Sequence, residues 1–308
     1  MRSPSLPIDL QDADLFFARL TDVYGNTRAH EIVDRLADHG QLAYWLNPLR
    51  DGDFQCVGEP VAGLEGVWAV DRDAGITRSE AAGDGRIYIQ NPSSLLAVRL
   101  LDPQPGEEVL DLAAAPGGKT IAIAVAMANT GRIGAVEPVK SRFHRLRANV
   151  ERCGVTNVEF YMRDGRGVGK AVGERFDRVL LDAPCSSEAR MRWHDASTYA
   201  HWSQRKIKET QRKQKSLLRS AYAALKPGGT LVYCTCSFSA EENELVVNHL
   251  LRRSDAQVET LADVPANTIA GLNHWKGKAL SGSLAQTLRV VPDGIWDGFY
   301  VARLRKPA

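Results

Sequence analysis

The chain has 308 residues, 44% hydrophobic and 25% charged, with a formal net charge of +2. That length serves one large domain with a companion, or two domains, and a charge so near zero excludes a protein that coats itself in polyanion. No apolar run approaches the ~20 residues that cross a bilayer, and "MRSPSLPIDLQDADLFF" lacks the apolar core of a signal peptide, so a cytoplasmic protein without a membrane partner is expected.

Residues 12 to 39 predict helices. "DADLFFARLTDVYG" and "TRAHEIVDRLADHG" have apolar residues at helical spacing and end at Gly25 and Gly40. From 41 to 90, "LAYWLN", "VWAV" and "RIYIQ" read as short strands between Gly- and Asp-rich turns. Residues 1–90 are thus a small α+β module. Asn91 then suits an N-cap and Pro92 the first helical position, opening a helix to about Leu101. From there to the end, 91–308, strands and helices alternate. The order is strand "EVLDL", a helix from Gly118, strand "RIGAVE", helix "PVKSRFHRLRANVERCG", strands "NVEFYM" and "FDRVLLD", and a helix over about Thr198 to Leu225. Strand "GTLVYCTCS" and helix "AEENELVVNHLLRR" come next, then an edge hairpin of "TLRVVP" and "GFYVARL". Such alternation predicts an α/β fold, a parallel sheet covered on both faces, whose ligands sit beyond the carboxyl ends of the strands.

The strand ends carry the chemistry. "DLAAAPGGKT" follows the first, and its small residues let backbone approach a ligand. Gly118-Lys119-Thr120 matches the end of a P-loop, but Ala113 stands where that motif needs its first glycine and Pro116 lacks an N–H. A plain structural turn is the alternative. Glu137, 26 residues beyond Asp111, ends the second strand; it suits ribose hydroxyls, or the start of a helix. Asp164 follows the third strand and suits an adenine amino group, or a turn before Gly165. Together these describe a nucleoside-containing cofactor without a phosphate anchor, such as S-adenosylmethionine.

The fourth and fifth strands end in "LLDAPCSS" and "YCTCSF". Cys185 and Cys236 would face one pocket, next to Asp182. Cys234 lies deeper and reads as core, Cys153 as helix-end packing, and Cys56 has no assignable role. An odd, scattered set of five cysteines without C-x-x-C is neither a disulfide framework nor a zinc ribbon, and no metal is expected. Between Arg190 and Arg219 there are nine Arg or Lys against two acids. That run fits a solvated helix face or a nucleic-acid-facing edge.

"QNPSSLLAVRLL", "VLDLAAAPGGKT", "LLDAPCSS", "LKPGGTLVYCTCSFSAEENELVV" and "DGFYVARL" resemble the RsmB/RsmF-type (Sun-domain) RNA cytosine-C5 methyltransferases. The likeness spans about Gln90 to Leu304. It implies a Rossmann-like class I methyltransferase domain, with a mostly parallel seven-stranded sheet, preceded by a small RNA-binding module. It implies S-adenosylmethionine as cofactor and ribosomal or transfer RNA as substrate. Residue by residue, it implies that Ala113, Ala114, Ala115, Pro116, Gly117, Gly118 and Lys119 contact the methionine part of the cofactor, Glu137 its ribose and Asp164 its adenine. Asp182 is implied at the junction of cofactor and base, Cys236 as the nucleophile, and Cys185 as the residue that assists release.

The chemistry wants these types. Carbon 5 of cytosine is a poor nucleophile until a thiolate adds at carbon 6, and cysteine suits that step because nearby positive charge lowers its pKa. Lys119 and the cofactor's sulfonium are the candidate charges. Asp182 is placed to stabilise the changing ring, and Lys119 to tune protonation. Arg190, Arg192, Arg205, Lys206 and Arg212, in a segment that contains Trp193 and Trp202, are the expected RNA contacts, with Arg28 and Arg50 a second surface. Two departures stand out. Ala113 replaces the family's usual cysteine, and "SEARMR" follows Cys185 where Gly-x-Gly is usual. The extra C-terminal RNA-binding domain of some relatives is not expected here. Methylation of DNA, or an RNA-binding or ribosome-assembly factor without catalysis, are the other functions this sequence leaves open.

Overall fold

The computed structural model describes residues 6, 7, 10, 12–38 and 40–308; the signal-peptide reading falls partly outside them. Helices α1 (Ala13–Tyr24) and α2 (Asn26–Ala37) meet at Gly25, whose φ of 77° suits glycine. Strands β1 (Leu42–Leu46), β2 (Glu59–Pro60) and β3 (Val67–Val70), the short helix α3 (Glu80–Asp84) and β4 (Ile87–Ile89) follow. The four strands form an antiparallel sheet in the order β2-β3-β1-β4. Helix α4 (Pro92–Leu101) starts as expected, with the Asn91 side chain accepting from the Ser93 N–H at 3.0 Å.

The alternation then runs β5 (Glu108–Asp111), α5 (Gly118–Ala126), β6 (Arg132–Val136), α6 (Lys140–Arg152), β7 (Val158–Tyr161), α7 (Val168–Val172), β8 (Phe176–Asp182), α8 (Gln204–Ala224), β9 (Leu225–Thr235) and α9 (Glu244–Leu251). After it come β10 (Gln257–Val258), β11 (Thr268–Ala270), the small hairpin β12 (His274–Trp275) and β13 (Lys278–Ala279), β14 (Leu288–Val290) and β15 (Phe299–Arg305). The main sheet has the order β11-β14-β15-β9-β8-β5-β6-β7, with β10 beside β15. Strands β7, β6, β5, β8 and β9 are parallel, and β15, β14 and β11 add antiparallel. The seven expected strands are all in it. The two extra ones, β10 and β11, are short additions between α9 and β14, where no strand is expected from the sequence.

Alternate residues of each strand point to opposite faces. Val109, Ile133, Leu180, Val232 and Val301 pack with α4, α5 and α6 on one side. Leu110, Val179, Leu181, Leu231 and Tyr233 pack with α7, α8 and α9 on the other. Both faces are therefore covered, which a central parallel sheet requires. The long helix begins later than expected, because Ser203 caps it by accepting from the Lys206 N–H, while 188–190 and 196–198 are single 3₁₀ turns. Helices α1 and α2 lie against these turns. Phe16 meets Trp193 and Trp202 edge-on at 5.9 and 5.3 Å, and Tyr24 meets Phe238 at 5.8 Å. Among the described residues no helix is long and apolar enough to cross a membrane.

Candidate active site

A cleft of about 540 Å³ opens at the carboxyl ends of the parallel strands. It is lined by Ala113, Ala114, Ala115, Pro116, Gly118 and Lys119 after β5, by Glu137 after β6 and Asp164 after β7, by Asp182 and Cys185 at the end of β8, and by Cys236 after β9. One expected residue is not in that lining. Gly117 turns the chain at φ 113°, where a Cβ would press on Leu146 of α6, so its role is to let the loop enter α5.

At one end, Glu137 is buried and its Oε1 accepts from the Val139 N–H at 2.9 Å. Arg142 lies 3.6 Å from Oε2 and donates to the Ala115 carbonyl at 2.8 Å. Asp164 caps the turn 165–167, and both of its oxygens accept from Arg166, at 2.6 to 3.0 Å. That arginine holds the carboxyl below the usual range. Any adenine contact by Asp164 is therefore shared with Arg166. Asp111 was read only as the end of a strand. It is buried, its Oδ2 accepts from the Thr120 hydroxyl at 2.7 Å, and its Oδ1 has no partner. Burial pushes it up to about 6. An orphan acceptor in a cleft wall asks for a cation. The ammonium of S-adenosylmethionine's amino-acid part supplies one, and the cleft's small-residue loop and Glu137 suit the rest of that molecule.

At the other end the Cys185 and Cys236 sulfurs are 3.3 Å apart. The Cys185 thiol's hydrogen bond, opposed by burial and helped by the Arg190 charge and the Ser187 hydroxyl, pulls Cys236 down to about 6. Cys185, as the donor, is pushed well above the ordinary thiol value. These opposite directions make Cys236 the better acceptor and Cys185 the better donor of the pair. Lys119 donates to Asp182 at 2.7 Å and to the Ser94 hydroxyl at 3.1 Å. Burial is the strongest influence and opposes its charge, but Asp182 and Cys234 together outweigh it and its pKa is raised. Cys234 is core, 3.8 Å from Asp182, with burial pushing its thiol well up.

Two buried acids clamp the thiol-bearing loops from behind. Glu188 accepts from the backbone N–H groups of Phe238 and Ser239 at 2.9 and 3.0 Å and from Trp202 Nε1 at 2.8 Å. Glu242 accepts from the Ser186 N–H at 2.9 Å and from Gln214 Nε2 at 3.2 Å. The Ser237 hydroxyl sits between the two. The departure "SEAR" thereby acquires a structure. Ser187 takes the left-handed conformation, at φ 59°, and Glu188 ties the loop after β8 to the loop after β9.

A family model described as 16S rRNA methyltransferase RsmB/F matches residues 98–305. The chain belongs to the RsmB/F methyltransferase family. It is 44% identical over 255 residues to ribosomal RNA small subunit methyltransferase F of Klebsiella pneumoniae, 79% of this chain and 50% of that one. It is 41% identical over 224 residues to tRNA (cytosine(49)-C(5))-methyltransferase of Pyrococcus abyssi, 72% and 71% of the two chains. It thus spans about half the length of the curated methyltransferase F relatives it matches. The crystal structure of a methyltransferase homolog protein from Pyrococcus horikoshii matches with a TM-score of 0.82 at 32% identity, covering 99% of this chain and 100% of that one.

Within this family frame, the expected RNA contacts divide. Arg190 lines the cleft beside Cys236. Arg192 turns inward, donating to Asp297 at 2.7 Å and to the Met191 carbonyl at 2.8 Å. Arg205, Lys206 and Arg212 lie on α8; Arg205 pairs with Glu209 at 3.1 Å, and Arg212 is exposed. Lys213, not singled out before, lines the cleft near Asp164. Trp202 is core and Trp193 packs half-buried against it, with its Nε1 donating to the Val33 carbonyl, so neither is a stacking platform. The sequence offered two signals for the buried clamp: an acid three residues after Cys185, and Ser-Phe-Ser followed by two acids after Cys236.

Proposed function

We propose that this protein transfers a methyl group from S-adenosylmethionine to carbon 5 of a cytosine in ribosomal or transfer RNA. The observation that carries this is the thiol pair, 3.3 Å apart, beside the Lys119–Asp182 pair. Asp111, the loop 113–119, Glu137 and Asp164 would hold the cofactor, which when bound supplies an electrophilic methyl group that carbon 5 takes. Cys236, as a thiolate, adds to carbon 6 of the ring, and electron density moves toward carbon 5 and N3. Asp182, oriented by Lys119, accepts from the exocyclic amino group and fixes the base. On release, water takes the carbon-5 proton, the freed electron pair restores the double bond between carbons 5 and 6, and Cys236 leaves as a thiolate. The Cys185 S–H stabilises that leaving group, and this is its role. The target base must leave its stack to reach the pocket. Residues 1–90 and the basic α8 residues Arg205, Lys206 and Arg212 supply backbone contacts.

Labelled-methyl transfer tests the division of labour. Cys236→Ala is expected to abolish transfer. Cys185→Ala is expected to form a covalent RNA adduct, visible on denaturing gels, that it resolves slowly. If Cys185→Ala is the inactive variant and Cys236→Ala the trapped one, the roles are reversed and the reading fails. Bisulfite sequencing of total RNA from cells with and without the protein identifies the target.

A further inference from the structure

The cleft's cations are unequally committed. Lys119 is paired with Asp182 at 2.7 Å. Arg142 is held by the Ala115 carbonyl and Glu137. Arg190 lines the cleft together with Asp182, Cys185, Cys236 and Asp297; its side chain is exposed there, and among the described residues its guanidinium has no hydrogen-bond or ion-pair partner. Its backbone, by contrast, is firmly placed. The Ala189 N–H donates to the Cys236 carbonyl at 3.0 Å and the Arg190 N–H to the Ser187 carbonyl at 2.9 Å. Between them, Glu188 is anchored to Ser237, Phe238 and Ser239. The 3₁₀ turn that carries Arg190 is thus riveted to the segment that carries Cys236.

We infer that Arg190 is the counter-cation of the Cys236 thiolate, a positioning residue that keeps the nucleophile ionised before cofactor or RNA arrives. This rests on Cys236 being the nucleophile. The other charged or titratable groups facing that sulfur do not replace Arg190. From β8, Asp182 opposes the thiolate, and Cys185 contributes a hydrogen bond but no charge. From α5, Lys119 is neutralised by Asp182. Cys234 of β9 is held as a thiol by its burial, Asp111 of β5 is an acid, and Asp297 takes Arg192. Arg190 thus joins Lys119 and the cofactor's sulfonium, the charges expected from sequence, as a source of positive field at the thiol, and it is the one not paired with Asp182.

The test reads the thiolate directly. Iodoacetamide alkylation of Cys236 is followed by peptide mass spectrometry from pH 5 to 10, on the full chain without cofactor or RNA. The wild type is expected to show a midpoint well below that of an ordinary cysteine, about 8.5. Arg190→Met should raise the midpoint and slow alkylation near pH 6.5 by at least about tenfold, with the plateau at pH 10 unchanged. Arg190→Lys should restore most of the rate, and Arg190→Gln serves as a second neutral variant should Met impair folding. An unmoved midpoint in the neutral variants overturns the inference, as does failure of lysine to rescue them, or a wild-type midpoint of an ordinary cysteine. The methyl-transfer reading stands or falls separately, on Cys236→Ala and Cys185→Ala.

Discussion

Replacing Glu242 by glutamine probes the acid pair behind the thiols. Glu188 and Glu242 are both buried, and Ser237 Oγ lies 2.9 Å from the first and 2.7 Å from the second. A hydroxyl has one proton and cannot donate to both. The consistent arrangement is a chain, in which protonated Glu242 donates to Ser237 and Ser237 donates to Glu188. Glu188 also receives two backbone N–H groups and Trp202. Burial, and next the Glu188 charge, push Glu242 from its ordinary 4.5 up to about 7. In the unfolded chain it ionises near its ordinary value. Between those pH values the folded state binds the extra proton, so stability falls as pH rises. The loss from this group is absent well below pH 4.5 and amounts to about 3 kcal/mol above pH 7. Glutamine donates through its amide as the protonated acid does, and it does not ionise. Urea unfolding, followed by tryptophan fluorescence at pH 4 to 8, should therefore show Glu242→Gln gaining on the wild type by about 3 kcal/mol across that range. Titrating groups away from this network are common to both proteins and cancel in the difference, which therefore reports on Glu242 together with its neighbour Glu188. A difference that is constant with pH, or that falls as pH rises, refutes the proton chain.

Two further outcomes follow from buried pairs. Arg289 and Glu244 are both fully buried and bonded to each other, and Arg289 also donates to the Tyr24 hydroxyl at 3.1 Å and the Phe238 carbonyl at 2.9 Å. Arg289→Met should cost about 3–5 kcal/mol in urea unfolding, because it leaves Glu244 charged and alone; a loss under about 1 kcal/mol would count against the pair's burial. Diamide should oxidise Cys185 and Cys236 to a disulfide, itself being reduced to the hydrazine, since the two sulfurs lie 3.3 Å apart. Methyl transfer should then stop and return with dithiothreitol, and peptide mass spectrometry should find Cys185 joined to Cys236; inhibition without that crosslink would point to another cysteine.

What was legible in the sequence is what lies next to a strand end. Ala113–Pro116, Glu137, Asp164, Asp182, Cys185 and Cys236 each follow an apolar run, and a parallel sheet necessarily brings those ends to one edge. The residues missed act across the chain. Glu188 binds Ser239, 51 positions away. Phe16 covers Trp202, so an aromatic in a basic segment becomes core and not a base-stacking surface. No local pattern announces such a partner, because the signal is a hydrogen bond or a ring contact that exists only after folding.

The assignment of charge shows the same distinction with more consequence. Counting cations near "APGGKT" nominates Lys119 as the activator of the nucleophile. Folding pairs that lysine with Asp182, so its charge orients an acid. Folding also carries Arg190, which sequence grouped with the exposed helix, onto the wall beside Cys236. The number of charges in a site therefore says little about its chemistry until each is matched to its partner, since a paired ion acts on distant groups as a weak dipole and an unpaired one acts with its full field. On the mechanism we propose, that unpaired charge readies Cys236 to attack, and Cys185, whose sulfur lies 3.3 Å away, is reserved for letting go.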